Sequence, residues 1–126
     1  MNWNMAIAAG VVLGAILTLK RISFVSPEFA SKLIEQGALV VDVRSEQEFQ
    51  SGHVRDAVNS PLGKLREALP RRVTDRSQVL LLHCLSGGRS LIAKLQLKRL
   101  GYKNVFNLGS YRRAQRIVDR GRKNIV

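Results

Sequence analysis

The sequence predicts an α/β domain, a central and mainly parallel five-stranded sheet flanked by helices, preceded by one transmembrane helix. Three observations carry this reading. Residues 38–43 and 79–82 are short apolar runs, the first broken only by Asp42; both are rich in Val and Leu, as parallel strands buried on both faces are. Segments with apolar residues at helical spacing alternate with these runs. Residues 1–19 contain no charged side chain.

The N-terminal segment comes first. A spanning helix needs about 20 mostly apolar residues and at least about 17. Residues 1–19 meet that limit, Trp3 stands where interfacial aromatics sit, and Lys20 and Arg21 close the stretch. Residues 1–21 are therefore expected to form a transmembrane anchor with a basic stop, and residues 22–126 one domain. A cleaved signal peptide would carry positive charge ahead of the apolar stretch, and residues 1–4 contain no Lys or Arg. The positive residues follow the segment, so a single-pass topology with the domain on the cytoplasmic side is expected. Gly10 and Gly14 form a GxxxG spacing, a weak hint of a dimer; the general richness of apolar helices in Gly and Ala is the preferred explanation. The oligomeric state is left open.

The remaining 105 residues suffice for one core and are too few for two. Residues 22–25 are β-prone. Ser26 and Pro27 look like the cap and first residue of a helix ending near Gly37, with Phe29, Ala30, Leu33 and Ile34 at helical spacing. The strand at 38–43 follows, then a short helix at 45–51, a short strand at 58–60, a helix at 61–69 and the strand at 79–82. Residues 89–100 carry Leu91, Ile92, Leu95 and Leu100 at helical spacing, and Gly101 ends that helix. A last strand at 105–107 and a last helix at 111–120 complete the order.

Composition narrows the chemistry. Cys84 is the only cysteine, so no internal disulfide or multi-cysteine metal cluster forms, and with only His53 and His83 besides, no metal site and no cofactor are expected. A lone thiol favours a reducing compartment. The net charge of +12 suggests anionic partners. Residues 94–126 hold ten Lys or Arg and one acid, Asp119. A solvated helix face is the preferred explanation and anionic lipid the alternative. Nucleic acid is not expected, because no RNA-binding motif or interleaved aromatic platform accompanies the charge.

Residues 79–90, VLLLHCLSGGRS, hold the chemistry. A strand leads into Cys84, a glycine-containing loop follows, and a helix begins. This puts the thiol at the C-terminal edge of the sheet, where α/β proteins bind ligands. Loop amides and the helix start turn unpaired N–H groups toward the sulfur; with the Arg89 guanidinium they favour thiolate. Gly87 and Gly88 are expected to permit the backbone angles and close approach of a tight anion cradle. The substrate or anion loop is thus Leu85, Ser86, Gly87, Gly88, Arg89 and Ser90, around Cys84 as nucleophile. Asp42 and Arg44, at the end of a central strand, are expected as support, with a structural ion pair preferred over a donor contact from Arg44.

Four residues separate Cys84 from Arg89, one fewer than in cysteine-dependent phosphatases. The loop resembles that of the rhodanese family, C-x-x-G-x-R-S, at Cys84, Gly87, Arg89 and Ser90. Residues 41–44 (VDVR) resemble the family's D-x-R segment. Residues 48–54 (EFQSGHV) with 57–61 (AVNSP), and 100–105 (LGYKNV) with Leu108 and Gly109, resemble further family segments. Asp56 and Ser110 stand where the family has glycine, and Ala114 lies near the place of a tryptophan common in its last helix. The resemblance implies a rhodanese-like fold and a sulfurtransferase. The Cys84 thiolate would take sulfane sulfur from a small anionic donor such as thiosulfate, hold it as a persulfide, and pass it to an external thiol or cyanide. It implies no cofactor. His53 is read as a structural hydrogen-bonding residue. Strand alternation points His83 away from the sulfur, as a packing residue rather than a base. The alternatives are a non-catalytic rhodanese-like binding or regulatory module at the membrane, and a phosphatase or arsenate reductase of related fold, which would need the longer loop.

Overall fold

The structure, a computed structural model, describes residues 2–125. Met1 and Val126, the outer ends of the expected anchor and domain, lie outside the described residues. In chain order the elements are α1 (Trp3–Ile22), α2 (Pro27–Glu35), β1 (Leu39–Asp42), α3 (Glu46–Ser51), β2 (Val58–Asn59), a 3₁₀ turn (Leu62–Lys64) running into α4 (Leu65–Arg72), β3 (Leu80–His83), α5 (Gly88–Arg99), β4 (Val105–Gly109) and α6 (Tyr111–Lys123).

The sheet has four strands, all parallel, in the order β2-β1-β3-β4. The expected fifth strand at residues 22–25 does not form. Ile22 is the last residue of α1 and Ser26 already caps α2, leaving three residues between them. That stretch makes only an isolated bridge, Phe24 to Asn107, with the Val25 amide donating to Asn107 O at 2.9 Å.

Side-chain alternation divides the core across the sheet. Val41, Leu80 and Leu82 pack with Leu65, Leu69, Ala93, Leu97 and Tyr102 on the face covered by α4 and α5. Val40, Leu81 and Leu108 pack with Ala30, Ile34, Ala114, Ile117 and Val118 on the face covered by α2 and α6. Burial on both faces explains why β1 and β3 read as near-continuous apolar runs.

Serines set three helix starts. The hydroxyls of Ser26 and Ser110 accept the Phe29 and Arg113 amides, and Ser45 and Glu48 form a reciprocal capping box on α3. Ser110, expected as a departure from the resembled pattern, thus serves as the cap of α6. Asp56 has φ 62, a left-handed conformation that Asp tolerates better than most side chains.

α1 is one continuous apolar helix of 20 residues, long enough to cross a membrane, with its side chains exposed rather than packed on the domain. At 1.5 Å per residue it extends about 30 Å, the thickness of a bilayer's hydrocarbon core.

Candidate active site

All four strands point the same way, so their C-terminal ends share one edge. Asp42 pairs in register with His83, and His83 with Gly109. Cys84 follows β3 directly, and its amide donates to Gly109 O at 3.2 Å. The residue is 1% exposed, so the sulfur lies at the floor of the loop. The Gly87 amide donates to Cys84 Sγ at 2.9 Å, and the Ser90 hydroxyl lies 3.6 Å from it. Burial pushes the thiol's pKa up. The Ser90 amide and hydroxyl, with the amides of Gly87 and Ser86, outweigh burial, and the net shift is downward, toward thiolate.

The two loop glycines differ, contrary to their shared expectation. Gly87 has φ 101, a conformation L side chains rarely adopt, and a Cβ there would stand 2.6 Å from two Phe24 ring carbons. Gly88 is the first residue of α5, with no positive φ, and a Cβ there would meet nothing within 4 Å. Only Gly87 shapes the cradle.

The loop is held from outside by residues whose role the sequence did not reveal. The Phe24 ring wedges against both Gly87 and Gly109. Asn107, fully buried in β4, accepts at Oδ1 from the Ser90 hydroxyl (2.7 Å) and the Gly109 amide (2.9 Å). Through Nδ2 it donates to Ser23 Oγ (3.1 Å) and Gly87 O (3.3 Å). A hydrogen-bonded chain therefore links the end of α1 to Ser90. The available signal was one Asn inside an apolar strand, since a buried amide needs partners. On the rim, Leu85 and Ser86 are exposed; the Tyr111 amide donates to Leu85 O at 3.1 Å, and Ser86 bridges to Ser110.

Arg89 reaches to α3, donating to both Glu48 carboxylate oxygens at 2.7 and 3.0 Å; the Glu48 carboxylate first, and the nearby Cys84 sulfur after it, hold the guanidinium's pKa up. This pair ties the loop's far end to α3. Asp42 and Arg44 form a buried pair, with Arg44 Nη2 donating to Asp42 Oδ2 at 2.7 Å and to Gly52 O at 2.8 Å, and the guanidinium 4.6 Å above the Tyr111 ring. His83 is buried with Nε2 3.7 Å from Asp42 Oδ2, while Nδ1 donates to Cys84 O at 3.1 Å. Burial pushes its pKa down, which keeps the ring neutral. His53 donates to Phe49 O at 3.0 Å and stacks on the Phe49 ring. Among the described residues no cluster of metal-ligating side chains occurs.

Two outcomes follow from this geometry. In Ser90→Ala the sulfur loses a hydroxyl that can turn its one proton from Asn107 Oδ1 to the thiolate. Iodoacetamide alkylation of Cys84 should then titrate at higher pH, and its rate at neutral pH should fall by up to about tenfold, the ratio corresponding to one charge-assisted hydrogen bond of about 1.5 kcal/mol. The second concerns Glu48, whose carboxyl Arg89 holds at a pKa of about 2, below the ordinary 4.5. A depressed folded-state pKa stabilises the fold fully above 4.5, and that contribution is lost as pH falls toward 2. Glu48→Gln keeps the capping box and removes the charge. In urea titrations at a series of pH values, the variant should be less stable at pH 7, with the difference shrinking between pH 4.5 and about 2.

The rhodanese-like domain family model matches residues 26–115. The chain belongs to the rhodanese-like family. It is 35% identical over 69 residues to thiosulfate sulfurtransferase PspE of Escherichia coli, covering 55% of this chain and 66% of that one. It is 33% identical over 84 residues to thiosulfate sulfurtransferase GlpE of Pseudomonas savastanoi, covering 67% and 77%. A tRNA uridine(34) hydroxylase of Hamiltonella defensa is 35% identical over 75 residues, covering 56% of this chain. This rhodanese-like chain thus spans just under two thirds of the PspE relative and 21% of the hydroxylase. Among solved structures, human single-domain sulfurtransferase TSTD1 superimposes with a TM-score of 0.63 at 29% identity, covering 75% of this chain and 96% of that one.

Proposed function

We propose that this rhodanese-like domain is a sulfurtransferase carrying sulfane sulfur as a Cys84 persulfide, from a donor such as thiosulfate to an external thiol or cyanide. The observation that carries the reading is the cradle itself: a single buried sulfur facing the Gly87 amide at 2.9 Å, its pKa drawn down by loop donors. The thiolate attacks the outer sulfur of thiosulfate. The S–S bond of the donor breaks, sulfite leaves with the electron pair, and Cys84 holds the transferred sulfur. An acceptor nucleophile then attacks that outer sulfur and Cys84 leaves as thiolate, giving two half-reactions and ping-pong kinetics. Persulfidation extends the reactive atom by about 2 Å, one S–S bond length. For a residue 1% exposed, this brings the sulfur outward toward an acceptor. With no second cysteine in the chain, the acceptor is external. Leu85 and Ser86 on the rim meet the donor; Asp42 with Arg44, and Arg89 with Glu48, brace the loop.

We further assign residues 1–21 to a single-pass membrane anchor, with the domain of residues 22–126 on the cytoplasmic side. The supporting observations are the uninterrupted apolar α1 and the Lys20 and Arg21 that end it.

Intact-mass spectrometry after thiosulfate treatment tests the sulfur carriage. The expected result is a gain of one sulfur, removed by cyanide. A protein that stays at its original mass with every sulfane donor offered would end this reading. Relatives called hydroxylases do not favour a second reading, since the match reaches only 21% of their representative's length.

A further inference from the structure

Arg113, Arg116 and Arg120 of α6 line, with Pro27 and Ile117, a shallow cavity of about 270 Å³. Pro27 opens α2 only five residues after Ile22, where α1 ends. The intervening chain is not a slack tether. The Phe24 amide donates to Arg21 O at 3.2 Å, the Val25 amide to Asn107 O at 2.9 Å, and Ser23 Oγ donates to Lys20 O while accepting from Asn107. Arg113 clamps the same stretch from α6. It donates to Leu108 O at 2.6 Å and to Val25 O, and its guanidinium lies 5.2 Å from the Phe24 ring centre. The start of α6 is therefore fixed beside the point where α1 enters the domain.

The charge of this face is one-sided. α6 carries Arg112, Arg113, Arg116, Arg120, Arg122 and Lys123 against Asp119 alone. Two carboxylates reach it from other elements: Glu28 lies 3.9 Å from Arg120, with both side chains more than half exposed and so screened, and Asp56 lies 3.4 Å from Arg122. Arg116 is exposed and makes no ion pair among the described residues. Lys20 and Arg21 extend the positive surface onto the last turn of α1. The cavity floor is aliphatic, from Pro27 and Ile117, with guanidinium groups around it. An aliphatic floor offers bases no stacking platform. An apolar floor under cationic side chains matches the boundary between lipid headgroups and acyl chains.

We propose that the α6 face presenting Arg116 and Arg120 docks on anionic phospholipid headgroups at the membrane surface from which α1 emerges, holding the domain in one orientation. This rests on the anchoring role assigned to α1. The same Phe24 that Arg113 covers wedges under Gly87, so docking also fixes how the sulfur loop sits relative to the bilayer.

The test uses the full chain in lipid nanodiscs of phosphatidylcholine alone or of phosphatidylcholine with phosphatidylglycerol, treated with phenylglyoxal and read by peptide mass spectrometry. Arg116 and Arg120 should react about fivefold more slowly in the anionic discs, the ratio expected from the attraction of one basic residue to such a surface. High salt should remove the protection. Arg66 and Arg71, exposed on α4 across the sheet, should react equally in both. Equal reaction of Arg116 and Arg120 in the two compositions, in a chain that has entered both, overturns docking and leaves the anchor intact. A chain that enters neither disc overturns the anchor and the docking with it. Protection by an added single-stranded oligonucleotide, and none by anionic lipid, overturns the proposal in favour of nucleic acid.

Discussion

Cys84→Ser is expected to give a folded protein that gains no sulfur from thiosulfate and whose transfer rate falls by at least about 10³-fold, the scale on which loss of a nucleophile acts. The fold should survive because serine is close in size and the Gly87 amide that donates to Sγ at 2.9 Å can donate to a hydroxyl. The buried position, packed near Val41, Val43 and Leu82, limits the change to about 1–2 kcal/mol, the range for a hydroxyl that keeps a partner. The chemistry does not survive. The loop's donors lower the pKa of a thiol, which starts near 9; they cannot bring an alcohol into the neutral range, and an oxygen cannot form the S–S bond. Because Cys84 is the only cysteine, a mass gain that persists in the variant cannot be a persulfide elsewhere in the chain, and would show that the sulfur is carried another way. Circular dichroism on the same sample separates loss of chemistry from loss of fold.

The elements that were legible in the sequence are those whose signal is local. β1 and β3 are buried on both faces and so show as apolar runs, and two helices announce themselves by the Ser26 cap and by Gly101. The position of Cys84 at the end of a strand followed from the same logic. What was not legible depends on contacts between distant residues. The β-prone stretch at 22–25 lost Ile22 to α1 because an apolar helix continues until something stops it, and three residues cannot build a ladder. Phe24 reads as one more apolar residue until the fold sets its ring against Gly87 and Gly109, from 63 and 85 positions further along the chain. Asn107 carries a visible anomaly, a polar residue in a buried strand, but its partners Ser23 and Ser90 come from distant segments of the chain. The contrast between Gly87 and Gly88 is likewise tertiary: adjacent and chemically identical, they differ only in φ and in what lies against them.

That contrast supplies the second large effect. Gly87→Ala should both destabilise the domain and abolish sulfur loading, while Gly88→Ala should change little. At Gly87 two penalties add. The φ of 101 is unfavourable for an L side chain by about 1–2 kcal/mol. A methyl 2.6 Å from two Phe24 ring carbons must also displace the ring or the loop, and overpacking of this kind costs about 1–3 kcal/mol. The ring has little room to withdraw. It also faces Gly109, where a Cβ would be 3.0 Å away, Arg113 lies across it, and its backbone is bonded to Arg21. The loop therefore has to give, and the Gly87 amide moves off Sγ. Loading should fall by more than the stability loss alone explains, and the alkylation midpoint of Cys84 should rise because the thiolate loses a donor. At Gly88 a methyl meets nothing within 4 Å, and alanine is a better helix former than glycine by about 1 kcal/mol, an advantage reduced at the first position of α5. Urea denaturation and alkylation rates for the two variants settle the matter together. Equal effects at both positions would mean that the loop is held by its glycine content and not by the wedge of Phe24 against Gly87.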